Sequence, residues 1–124
     1  MPGKTDYARI NPFITRDGSE IRELMHPQHH AGQHGVHNQS LAEARIPAGT
    51  TTLLHRHLES EELYHITQGE GLMTLGNEQF QVNPGDTVCI PPGTAHCIAN
   101  TADTDLVILC CCAPPYSDMD TELL

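Results

Sequence analysis

Tryptophan is absent from this chain, phenylalanine occurs twice, and lysine occurs once, as Lys4. No apolar run is longer than 106–113, far short of the roughly 18–20 residues that a membrane-spanning helix needs. Residues 1–11 hold no apolar segment flanked by positive charge, so neither a signal peptide nor an Arg-rich transit peptide is read and a cytoplasmic location is expected. Basic charge is also scarce, with 16 Asp and Glu against six Lys and Arg and a net charge of −10. That field works against non-specific binding to nucleic acid or an anionic membrane. CxxC pairs are missing as well: Cys89, Cys97, Cys110, Cys111 and Cys112 are odd in number and lack the spacing of a disulfide framework or zinc knuckle, so reduced thiols are expected.

What is present is one domain's length of chain, 124 residues, with a 38% hydrophobic fraction and nine histidines. Histidine carries acid–base and metal chemistry near neutral pH, so the excess demands an account. No segment of helix length repeats apolar residues at i, i+3 and i+4. Short apolar stretches instead recur between Gly, Pro and Asn turns, at 40–46, 51–57, 62–67, 71–75, 79–82, 86–90, 96–99 and 105–112. Such spacing predicts an all-β sandwich or small barrel. We divide the chain into an N-terminal arm, 1–38, with one strand at 20–25 and a His/Gly-rich loop; a barrel, 39–113; and an acidic tail, 114–124, expected to wrap the surface.

Within the second barrel strand His55 and His57 stand at i and i+2, so strand alternation turns both imidazoles, with Leu53, to one face and Leu54 and Arg56 to the other. After a turn, Glu62 opens the next strand, where antiparallel pairing is expected to set its carboxylate alongside the histidines, with Tyr64 and Ile66 on the same inward face. His96 is the only other histidine opening a predicted strand. Three neutral imidazoles and one carboxylate suit a divalent ion such as Fe, Mn, Co, Ni, Cu or Zn and, in six-coordinate geometry, leave two positions open. Taken alone, the HxH pair is more readily two solvent-facing strand histidines.

The wider pattern resembles the cupin superfamily. Its first motif, G(x)5HxH(x)3–4E(x)6G, is matched by Gly49, His55, His57, Glu62 and Gly69; its second, G(x)5PxG(x)2H(x)3N, by Gly85, Pro91, Gly93, His96 and Asn100. Residues 70–84 form the short spacer typical of small bacterial members. The resemblance implies a double-stranded β-helix, a jelly-roll barrel, with His55, His57, Glu62 and His96 as metal ligands on the inner wall. It also implies homodimers formed through sheet faces and exchanged N-terminal strands. Glu61 satisfies the first half of the motif too, but the six residues from Glu62 to Gly69 favour Glu62.

Tyr64 is the candidate acid or base, since some cupin lyases use a tyrosine here while other members carry an aromatic as packing. His65 has outward parity. The tract His26, His29, His30, His34 and His37 is a polar loop, a lid, or a second metal site. Cys110 and Cys112 share one strand face and read as core filler. Arg45 is left as the one cation near the site able to meet an anion, because Arg56 is turned away. The fold leaves the reaction open. The leading expectation is a small-molecule metalloenzyme of the dioxygenase type. A non-redox lyase or isomerase using Tyr64, and a non-catalytic cupin binding a sugar or aromatic acid, are the alternatives.

Overall fold

A computed structural model describes residues 3–30 and 35–124. The punctuated apolar stretches fold into strands: β1 (Phe13–Ile14), β2 (Glu20–Met25), β3 (Ser40–Ile46), β4 (His55–His57), β5 (Glu61–Gln68), β6 (Gly71–Leu75), β7 (Glu78–Val82), β8 (Thr87–Ile90), β9 (His96–Asn100), β10 (Leu106–Ala113) and β11 (Thr121–Leu123). They form two antiparallel sheets, ordered β1-β2-β3-β10-β5-β8 and β11-β4-β9-β6-β7. Beyond β3 the chain passes back and forth between the sheets, which is the path of a double-stranded β-helix. The all-β expectation therefore holds.

Alternation of burial drives this arrangement. Along β5, Glu62, Tyr64 and Ile66 are buried while Glu61, Leu63 and His65 face out. On β10, Cys110 and Cys112 point inward. Ile66, Met73 and Leu106 have no exposed surface, and each such side chain contributes about 1.5–3 kcal/mol when fully buried. Ala44, Tyr64 and Cys110 belong both to this apolar core and to the wall of a cavity above it.

Three local expectations change. The strand read at 51–57 is regular only over His55–His57, and Thr51 makes a single isolated bridge to Ala99. β4 does not pair with β5; it pairs with β9 and β11, while β5 pairs with β10 and β8. Residues 58–60 turn the corner from one sheet to the other, so Glu62 reaches the histidines across the barrel interior. The acidic tail does more than wrap the surface, because Thr121, Glu122 and Leu123 add an edge strand beside His57, Arg56 and His55.

Candidate metal centre

His55 and His96 are opposite one another in the β4–β9 ladder, which fixes both on the inner face with ring centroids 4.2 Å apart. His57 follows on the same face of β4. The three rings offer ligand atoms that all lie within 4.8 Å of one another, and all three residues are buried. Glu62, also buried, places Oε1 3.1 Å from His57 Nε2 and 3.5 Å from His96 Nε2.

Hydrogen bonding on the far side of each ring decides where its lone pair points. His55 Nδ1 is 2.8 Å from Leu53 O, and His96 Nδ1 is 2.9 Å from Thr94 O. A carbonyl only accepts, so Nδ1 carries the proton in both rings and a neutral imidazole turns a bare Nε2 lone pair inward. The Thr121 hydroxyl donates to Ser117 O at 2.9 Å and accepts from His57 Nδ1 at 3.1 Å. By the same logic His57 Nε2 is also free. Such outer partners orient metal-bound histidines.

These lone pairs confront carboxylate oxygens, an arrangement that is repulsive unless positive charge lies between them. His96 Nε2 is buried with no hydrogen-bond partner. A divalent cation removes both faults, and three imidazoles with a carboxylate are a donor set that first-row transition metals accept. The residues present therefore fit a metal ion.

Electrostatics follow burial and neighbours. Desolvation, then the nearby His96, lowers the pKa of His55 below its ordinary 6.5, which favours the neutral, ligating form. Burial alone would raise the Glu62 carboxyl, but the His57 and His96 rings beside it, when they carry a proton at Nε2, outweigh burial and bring the group to about 2. Burial drives the Tyr64 phenol well above 10, with Glu62 adding to the effect, so the phenol stays protonated. Cys112 Sγ donates to Glu62 Oε2 at 3.3 Å; burial and Glu62 push its thiol far up, and burial raises Cys110 likewise. Both remain neutral thiols, and all five cysteines are free.

A cavity of about 60 Å³ opens beside His55, His57 and Glu62, where about 10–15 Å³ suffices for one water. Phe13, Ile21, Ala42 and Ala44 give it apolar walls, and Tyr64 and Tyr116 add phenols. Among the described residues no lysine or arginine lines it. Arg45 pairs with Asp105 at 3.1 Å, so the expected anion contact is not made, and Arg56 pairs with Glu122. His65 is exposed and hydrogen-bonds Thr87, and Glu61 is exposed too.

Of the histidine tract, His26 and His30 are tied into the fold by hydrogen bonds. His26 is buried, donates from Nε2 to Tyr116 O and accepts at Nδ1 from Gln28 N. His30 accepts from His26 N, His29 lies beside Glu23, and His37 is exposed. His34 lies outside the described residues.

Two site residues escaped the sequence reading. Thr121, on the unforeseen β11, orients His57. Asp17, in the β1–β2 turn, brings Oδ2 to 3.8 Å from His55 Nε2. The D-G dipeptide at 17–18 marks a turn, but its destination depends on tertiary docking: Leu53 N donates to Asp17 O at 2.8 Å.

The family model for the cupin domain matches residues 42–112. An uncharacterized protein of Methanocaldococcus jannaschii is 56% identical over 121 residues, 98% of this chain and 94% of its own length. The oxalate-binding protein of Thermotoga maritima is 31% identical over 83 residues, 65% of this chain and 69% of its own. Among solved structures, Streptomyces Pac13, described as a nucleoside dehydratase, superposes with a TM-score of 0.76 at 16% identity, covering 100% of this chain and 92% of its own.

Proposed function

Because the chain belongs to the cupin domain family, we propose that it is a small-molecule metalloenzyme of the dioxygenase type. His55, His57, His96 and Glu62 are the proposed ligands of a divalent transition metal, Fe, Mn, Ni, Cu or Zn. The observation that carries this reading is the convergence of three imidazole Nε2 atoms, with a protein acceptor on the far side of each ring, beside a cavity that His55 and His57 line. A redox-active iron, manganese, copper or nickel held there supplies the one-electron chemistry that O₂ requires. The chain's own walls supply the rest. Ile21, Ala42 and Ala44 exclude water and admit an apolar gas, while Tyr64 orients a polar substrate.

A second reading is a non-redox lyase or isomerase, favoured by one feature: Tyr64 is buried beside His96, ring centroids 5.9 Å apart, with its proton retained. In that role it donates to a leaving oxygen. The Pac13 likeness supports this reading only through the fold, and the Thermotoga relative's name supports binding without turnover.

Oxygen uptake by iron-, manganese- and copper-loaded protein, on a panel of diketones, flavonols, catechols and thiols, is the expected positive result. No uptake with any metal, combined with an anaerobic elimination that vanishes in Tyr64→Phe, sinks the dioxygenase reading. The ligand set has its own test by elemental analysis: His55→Ala, His57→Ala, Glu62→Ala and His96→Ala each lower bound metal, whereas His65→Ala leaves it unchanged. A homodimer belongs to the same proposal on the resemblance alone; light scattering that returns the mass of one chain overturns it.

A further inference from the structure

Asp17 lies outside both cupin motifs, yet its side chain is only 13% exposed and ends at the centre. The β1–β2 turn holds it from one side. Oδ1 accepts from Thr15 Oγ1 at 2.6 Å, Ser19 Oγ at 2.7 Å and Ser19 N at 3.0 Å. Gly18, with φ of +93°, lets the chain reverse immediately after it. With three donors committed to Oδ1, Oδ2 is left free, facing His55 Nε2 and the cavity that Asp17 helps to line.

Charge on this wall is one-sided. Asp17, Glu62 and Glu23 line the cavity, and no lysine or arginine among the described residues does so. Two carboxylates already neutralise a divalent ion, and the third adds negative potential. Apart from the ion itself, an anionic substrate would meet no compensating side-chain cation among the described residues, whereas a ligand with an O–H or N–H finds an unshared acceptor in Asp17 Oδ2.

We propose that Asp17 determines specificity at this site: its free Oδ2 accepts a hydrogen bond from an uncharged, hydroxyl-bearing ligand and excludes dicarboxylate anions. The inference rests on the metal reading above. The preference proposed here is opposite to the oxalate binding that the Thermotoga relative's name records. Asp17 also differs in kind from the motif residues, because it arrives on the N-terminal hairpin and not from the barrel strands.

The test is calorimetric and needs no turnover. Wild type, Asp17→Asn and Glu23→Gln are titrated first with Mn²⁺ alone, then, Mn²⁺-loaded, with oxalate and with catechol, a neutral diol at pH 7. Asn keeps an acceptor for the turn while removing the charge, and a melting curve confirms that each variant folds. Wild type is expected to bind catechol at least tenfold more tightly than oxalate. Asp17→Asn is expected to tighten oxalate and weaken catechol, each at least tenfold, when both proteins are compared at saturating Mn²⁺. Glu23→Gln, which removes one charge from the same wall beside His29, is expected to shift oxalate less than threefold.

Unchanged ligand preference in Asp17→Asn, with Mn²⁺ binding intact, overturns the role of Asp17 and leaves the metal reading standing. Equal effects from Asp17→Asn and Glu23→Gln overturn it too, since general wall charge would then suffice. A wild-type protein that binds no Mn²⁺, iron, copper, nickel or zinc overturns the metal reading and this inference together. Should Asp17→Asn fail to fold, Asp17→Glu displaces the oxygen by one methylene, and an unaltered catechol affinity there counts against the proposal.

Discussion

Thr121 shows how one hydroxyl can set the chemistry of a ring it merely supports. By accepting from His57 Nδ1 it holds that imidazole in the form whose Nε2 is free. Thr121→Val keeps the shape and removes the acceptor, so metal affinity is expected to fall about 10–100-fold, the usual effect of losing an outer partner. Competition with a chelating dye measures it, and affinity unchanged within error refutes the supporting role. The residues that strand parity could place, His55, His57, Glu62 and Tyr64, were legible because each lies within a local two-residue repeat. Thr121 was not, since its partner is 64 positions away and nothing in the local pattern at 117–124 points to it. Asp17 was hidden for the same reason: the turn was readable, its docking against Leu53 was not.

At the level of elements, glycine and proline punctuation located most strands, because each turn imposes a backbone demand that few residues meet. Gly69 is the sharpest case. Its φ is +82°, and a Cβ there would lie 2.7 Å from Asp105 O and 3.0 Å from Leu106 Cα. Backbone occupies that space and cannot swing aside. Gly69→Ala is therefore expected to destabilise the fold by about 2 kcal/mol, within the range of about 1–3 for a strained position, read as a lower urea midpoint with an unchanged slope. A variant as stable as wild type would show that the β5–β6 corner can relax. Which strands pair was far less legible than where they lie. The short turn read at 58–61 suggested a β4–β5 hairpin, yet the chain there passes between sheets, and β11 has too few residues to show any period of its own.

Across the whole molecule the site couples metal, protons and stability. An ion that binds only the folded chain stabilises it by about 2.7 kcal/mol at a hundredfold excess over Kd. At about 4 °C per kcal/mol for a domain of this size, chelator is expected to lower Tm by about 10 °C at neutral pH. Acid must erode the same stability. His55 has a pKa below its ordinary 6.5 in the folded chain, and Glu62 one of about 2 in place of 4.5. For both groups the unfolded chain binds protons first, so stability is fully present above the unfolded pKa and falls as pH drops. His55 acts from about 6.5 downward and Glu62 between 4.5 and about 2. Metal binding requires unprotonated imidazoles, so its stabilisation fades over the upper part of that window. Melting curves at pH 8, 6.5 and 5, with metal and with chelator, are expected to converge as pH falls while both decline. Curves that stay parallel across that range would mean that the ion is held by groups other than these histidines.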